Sequence, residues 1–164
     1  MKNKSKKVLL VGHFNVGKTS LIKRFVQNSF SEEYVTSIGV TIEKKEIIIE
    51  GENITLIIWD IAGEVTIKKT PKSYLMGLHG LIYVFDLTRE VTWANMEEQV
   101  NDIQDMFPFA PFKIVGNKKD LVRPKDLERI LEDLPIKCDY TSSAKTGENV
   151  EKMFHDLGLD MYEQ

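Results

Sequence analysis

The feature that most constrains this chain is a glycine followed by four residues and then Gly-Lys-Thr, in Gly12-His13-Phe14-Asn15-Val16-Gly17-Lys18-Thr19. A short β-rich apolar run, residues 7–11, precedes it, and Leu21, Ile22, Phe25 and Val26 follow at helical spacing. Strand, glycine loop and helix in that order form the frame of a phosphate-binding loop. Its backbone N–H groups make a nest at a helix N-terminus that faces a polyphosphate. In that frame Asn15, Val16, Gly17 and Ser20 contribute backbone or hydroxyl donors. Lys18 is a point charge for the β and γ phosphates, and the Thr19 hydroxyl is a ligand for Mg²⁺.

The rest of the chain alternates in the same way. Residues 40–50 and 54–60 flank Gly51-Glu52-Asn53, which predicts an antiparallel hairpin. Further buried runs stand at 81–85 and 112–115, with a last strand at 136–140. Between them Trp93, Met96, Val100, Ile103 and Phe107 mark one helix face, and Leu127, Ile130, Leu131 and Leu134 mark a shorter one. Val150, Met153, Phe154 and Leu157 mark the last helix, for which Thr146 is the start signal. The expected fold is α/β, a mainly parallel six-stranded sheet with helices on both faces, binding its ligand beyond the carboxyl ends of the strands.

Composition narrows the class. The 164 residues, 42% apolar and 29% charged, suit one globular domain over 1–164. Twenty-two Lys plus Arg against 25 Asp plus Glu leave a net charge of −3, which argues against a general nucleic-acid binder. The single cysteine, Cys138, has no partner for an internal disulfide and reads as a core residue of a protein in a reducing compartment. No apolar run reaches the length of a membrane span, and no C-terminal cysteine offers a prenylation site. The expectation is a cytoplasmic monomer without a stable membrane anchor, peripheral to a membrane only through partners. Lys2, Lys4, Lys6 and Lys7 crowd the start, and residues 1–6 read as a flexible lysine-rich lead-in.

Three further strand ends carry polar groups. Asp60, in Trp59-Asp60-Ile61-Ala62-Gly63, ends the second hairpin strand with an acid where a Mg²⁺-directed carboxylate is needed, and Gly63 offers a backbone N–H to a γ-phosphate. In Asn117-Lys118-Lys119-Asp120 the Asp120 carboxylate is suited to accept guanine N1–H and the 2-amino group, a pair that adenine lacks. Ser143-Ala144-Lys145 follows the last strand, in a turn whose N–H groups suit the guanine O6.

In their order and rough spacing these pieces resemble the Ras superfamily of small GTPases, from about Lys7 to Leu157, and most closely its Rab branch. Ser37-Ile38-Gly39-Val40 resembles the Thr-Ile-Gly-Val of Rab proteins, and Trp59 stands at the Rab position before the acid. The resemblance implies a three-layer P-loop G domain with one antiparallel edge strand. It implies that Phe30 packs against the guanine, that Tyr34 covers the phosphates, that Ser37 ligates Mg²⁺ and that Asp60 acts on that ion through water. Lys118 joins the nucleotide site by the same resemblance. Effector and regulatory proteins would then read residues 31–40 and 64–75 and the apolar triad Ile42, Trp59 and Leu75. Alternating apolar residues on strands equally suit a core, and both readings of the triad stand.

The chain departs from that family around the γ-phosphate. Glu64 stands where a Gln usually orients the attacking water, and a carboxylate only accepts. Like charges about 5 Å apart repel by roughly 3 kcal/mol at an effective dielectric of 20. Phe14 adds bulk where a small residue is usual and where an arginine finger would enter. Asn15 replaces a Gly or Ala but tolerates left-handed backbone. His13 and His79 read as structural, and Arg89, which follows the third buried strand and is expected to begin a helix, as paired rather than as an internal finger. Three functions compete: a GTP/GDP switch with Mg²⁺-dependent, slow hydrolysis involving Lys18, Gly63 and Glu64; a constitutively nucleotide-bound scaffold that does not cycle; and an ATP-using enzyme, against which Asn117 and Asp120 argue.

Overall fold

The computed structural model describes residues 4–32 and 39–164. Tyr34 and Ser37, and most of the 31–40 segment, lie outside the described residues. The chain runs β1 (Lys4–Gly12), α1 (Lys18–Gln27), β2 (Val40–Ile49), β3 (Glu52–Ile61), α2 (Lys72–Leu75), β4 (Leu78–Asp86), α3 (Met96–Met106), β5 (Phe112–Asn117), α4 (Pro124–Asp133), β6 (Tyr140–Thr141) and α5 (Val150–Tyr162). Single 3-10 turns stand at Glu90–Thr92 and Lys119–Leu121.

The strands form a six-stranded sheet in the order β2-β3-β1-β4-β5-β6. β2 is antiparallel to β3 at one edge and the other pairings are parallel, as the sequence predicts. Glu50 and Gly51, both with positive φ, close the β2–β3 hairpin, the geometry that matches the right-handed twist of its strands.

Side chains of β1 alternate between the two faces with the period of a strand. Val8 and Leu10 meet Leu21, Ile22 and Phe25 of α1 and Met153, Phe154 and Leu157 of α5, where the Phe25 and Phe154 rings stack 4.1 Å apart. Leu9 and Val11 face the other way, toward Tyr83, Phe85, Met96, Val100 and Ile103. Trp93, expected on the helix face, sits just before α3 and meets Phe85 edge-on at 5.8 Å.

Four sequence-based boundaries shift, each for a local reason. β1 begins at Lys4, whose pairing with Ile54 makes residues 4–6 of the expected lead-in part of the sheet. The strand expected at 136–140 is reduced to Tyr140–Thr141 because the Asp139 side chain takes the Ile114 N–H at 2.7 Å, which interrupts the ladder. α5 starts at Val150 after Asn149 with φ 60°, while Thr146 serves the preceding turn by accepting from Glu148 N. Arg89 precedes a 3-10 turn rather than opening a helix. Cys138 is half-buried at the margin of the second cluster, and burial pushes its thiol pKa up. Among the described residues no helix is long and apolar enough to cross a membrane.

Candidate functional site

The carboxyl ends of β1, β3, β4, β5 and β6 lie on one side of the sheet, and the loops that leave β1, β3, β5 and β6, with the segment after α1, line a cavity of about 670 Å³. Gly12 ends β1, where a Cβ would stand 2.2 Å from the Val84 carbonyl oxygen. Gly17, φ 101°, caps α1, and a Cβ there would meet Asn117 Nδ2 at 2.3 Å. Both positions therefore require glycine. Asn15 holds φ 60°, the left-handed conformation for which asparagine is suited.

Lys18 is buried at the first turn of α1 and donates to the carbonyls of Gly12 at 3.2 Å and His13 at 2.8 Å. Burial lowers its pKa to about 8, against the pull of Asp60 and Glu64. Beside it the Thr19 hydroxyl donates to Asp60 Oδ1 at 3.1 Å. Burial raises the Asp60 pKa, opposed by that hydrogen bond and by Lys18 and Lys23. A hydroxyl and a partly desolvated carboxylate side by side are hard oxygen donors, the set that suits Mg²⁺ completed by water and phosphate oxygens. Among the described residues no three His, Cys, Asp or Glu side chains form a metal-binding group.

At the other end of the cavity Asn117 acts as a bracket. Its Nδ2 donates to Val16 O at 3.1 Å, and its Oδ1 accepts from Ser142 Oγ at 3.2 Å and Ala144 N at 3.3 Å. Asp120 accepts from Ser143 Oγ at 2.7 Å and lines the cavity. Lys118, with φ 68°, sends its ammonium to Asn15 O at 2.9 Å and to the buried Asp86 carboxylate at 2.8 Å. Phe30, Ala144 and Lys145 line the same space, and Lys145 pairs with Glu32 at 2.8 Å.

Most residues singled out in the sequence thus converge. Phe14, Asn15, Gly17, Lys18, Thr19, Ser20, Phe30, Gly63, Asn117, Lys118, Asp120, Ala144 and Lys145 line one cavity. Val16 and Ser143 stand behind its wall with fully buried side chains, and Asp60 is buried beside Thr19. Glu64 is exposed and does not line the cavity. Its neighbour Val65 is buried and forms an antiparallel bridge with Gly12.

Of the apolar triad, Ile42 is half exposed and registers with Trp59 across the hairpin, but Leu75 is buried in the second cluster. The Lys7 ammonium lies 3.8 Å from the Trp59 ring centroid. His13 Nε2 donates to Asn95 Oδ1 at 3.0 Å, and His79 Nδ1 accepts the N–H of Lys7, within β1, at 2.9 Å, so both histidines serve structural hydrogen bonds. Arg89 donates to the Phe14 carbonyl at 2.9 Å and lies 3.8 Å from Asp86. Arg24, Asp86 and Val65 were not legible as site residues, since no motif contains them.

The family model of the Ras family matches residues 7–163. The Ras-related protein Rab-13 of Rattus norvegicus is 32% identical over 161 residues, covering 94% of this chain and 79% of that protein. RabG2 of Dictyostelium discoideum is 34% identical over 166 residues (95% and 82%), and Rab-1A of the same organism is 35% identical over 162 residues (94% and 79%). With a P-loop G-domain sheet and the phosphate and base motifs around one cavity, the chain belongs to the Ras family of small GTP-binding proteins, on its Rab-like side.

Proposed function

We propose that the chain is a GTP/GDP switch whose intrinsic hydrolysis depends on Mg²⁺ and is slow. The observation that carries this is the meeting of Lys18 and Thr19 with Asn117 and Asp120 around one cavity, a phosphate end joined to a base end. Lys18 leaves its two loop carbonyls for the β and γ phosphates, whose negative charge keeps the ammonium protonated. Backbone N–H groups from Asn15 to Thr19 and the Ser20 hydroxyl surround the phosphates. Asp120 accepts from guanine N1–H and the 2-amino group, Asn117 keeps the two loops in register, and Phe30 covers the base.

Thr19 would hold Mg²⁺ directly and Asp60 through water, with Ser37 joining them and Tyr34 covering the phosphates from the segment outside the described residues. When bound, Mg²⁺ neutralises charge on the β and γ phosphates. Gly63 offers its N–H to the γ-phosphate. Hydrolysis adds water to the γ-phosphorus of GTP and breaks its bond to the β–γ bridging oxygen, giving GDP and phosphate, a step for which the exposed Glu64 carboxylate is a poor guide. Effector and regulatory proteins bind residues 31–40, Ile42, Trp59 and residues 64–75, with Leu75 taking part only if α2 lifts from the core.

The second reading, a nucleotide-bound scaffold that does not cycle, is favoured by one observation. Phe14 stands half exposed in the cavity wall, where it blocks an arginine supplied by an activating protein. Single-turnover hydrolysis of GTP with Mg²⁺, together with chromatography of the nucleotide retained on purification, separates the two. Measurable conversion to GDP supports the switch. Retained GTP that never turns over supports the scaffold, and retained adenine nucleotide refutes both.

A further inference from the structure

Arg24 projects from α1 to the back of the base loop. Its Nε donates to Ala144 O at 2.7 Å and its Nη2 to Lys145 O at 2.6 Å, so two donors of one planar guanidinium hold two successive carbonyls. Its Nη1 reaches Asn28 Oδ1 at 3.1 Å and Asn28 O at 3.3 Å, which fixes the side chain at the end of its own helix. Arg24 does not line the cavity, whereas Ala144 and Lys145 do. In a planar trans peptide the C=O of one residue and the N–H of the next point in opposite directions. Carbonyls drawn back to Arg24 therefore turn the N–H groups of Lys145 and Thr146 away from it. The Thr146 N–H closes the turn on Ser143 Oγ at 3.0 Å, and the Lys145 N–H, opposed to the Ala144 carbonyl, points away from Arg24.

The Thr146 N–H on Ser143 Oγ also holds the plane between Lys145 and Thr146, whereas the plane between Ala144 and Lys145, which carries the Lys145 N–H, is held by Arg24 Nε on the Ala144 carbonyl. Ser143 Oγ binds Asp120 and Ala144 N approaches Asn117 Oδ1 at 3.3 Å, both on the base side. The Lys145–Glu32 pair joins two exposed side chains, an interaction of little weight in water. We propose that Arg24 is a positioning residue for base recognition, holding the Lys145 N–H of the turn toward the 6-oxo group of a guanine base. The inference rests on the reading of the cavity as a guanine site.

The test compares GDP with 6-thioguanosine diphosphate, which keeps the N1–H and 2-amino group but carries a weak sulfur acceptor at position 6. The parent protein should prefer GDP roughly tenfold, the size of one neutral hydrogen bond. In Arg24→Met the GDP affinity should fall by about that factor while the thio analogue changes little, so the preference collapses toward one. Arg24→Lys, which keeps a charge near the helix end but not the fork, should behave in the same way. This variant serves if the methionine protein does not fold. An equal loss for both nucleotides, or no loss, in the folded variants overturns the proposal, as does a parent that does not distinguish the two. ADP is the control: a parent that binds ADP as well as GDP refutes the guanine reading, and the role of Arg24 falls with it.

Discussion

Gly12 and Val65 exchange both backbone hydrogen bonds, Gly12 N to Val65 O at 2.8 Å and Val65 N to Gly12 O at 2.9 Å. The pair ties the segment after β3 to the first residue of the phosphate loop, and the buried Val65 and Ile67 side chains extend the tie into the core below Leu9 and Val11. The start of the 64–75 segment is thus anchored by packing as well as by the backbone pair. Val65→Ala should lower stability by about 2 kcal/mol through lost packing, with the backbone pair intact. Chemical denaturation of the nucleotide-bound protein measures it, and a change below about 0.5 kcal/mol would contradict the anchoring. Hydrogen exchange should in addition find the Val65 amide protected equally in the GDP and GTP-analogue states.

Asp120→Asn should weaken GDP binding by about a hundredfold and improve xanthosine diphosphate, because an amide donates to the carbonyl that replaces the guanine 2-amino group. Competition binding with the two nucleotides reads both effects. Unchanged GDP affinity would remove Asp120 from the base site.

Burial sets the pH behaviour of Lys18 in nucleotide-free protein. Its folded pKa, about 8, lies below the ordinary 10.5, so between these values the unfolded chain binds the extra proton and stability rises with pH. Below pH 8 the penalty of the buried ammonium is fully present. Lys18→Met should flatten that part of the stability curve relative to the parent, while losing nucleotide affinity. A parallel pair of curves would show that Lys18 is solvated.

His79 gives a second window with the same sign at lower pH. Burial first, then Lys6 and Lys7, lower its pKa, and its Nδ1 is used as an acceptor for the Lys7 N–H. The unfolded histidine takes up a proton at 6.5 before the folded one does, so this residue withdraws stability as pH falls below 6.5. His79→Asn keeps an acceptor and should reduce the acid slope in thermal melts relative to the parent.

Glu64→Gln should raise the intrinsic hydrolysis rate, because the amide restores a donor toward water and removes an anion beside the γ-phosphate. Single-turnover rates across several pH values without any activating protein decide it. A slower Gln variant, with a parent rate that titrates, would instead make Glu64 a general base.

Glycines and strand ends carried most of the legible information. Gly12, Gly17, Asp60, Asn117 and Asp120 are placed by the strands that end beside them, and strand periodicity is local to the sequence. What was not legible depends on contacts between distant segments. The early start of β1 rests on Ile54, the short β6 on a side chain of Asp139 replacing backbone, and the burial of Leu75 on the cluster beneath α2. Arg24 reads in the sequence as a solvated helix arginine, because its partners lie 120 and 121 residues away.

Two cross-braces join the base loop to the phosphate loop, Asn117 Nδ2 to Val16 O and Lys118 Nζ to Asn15 O. They make the two halves of the pocket behave as one lever. A force applied to either arm, at Asn15 or at Lys118, is transmitted to the other through bonds that do not involve a ligand. Displacing either loop therefore loosens both walls of the cavity at once.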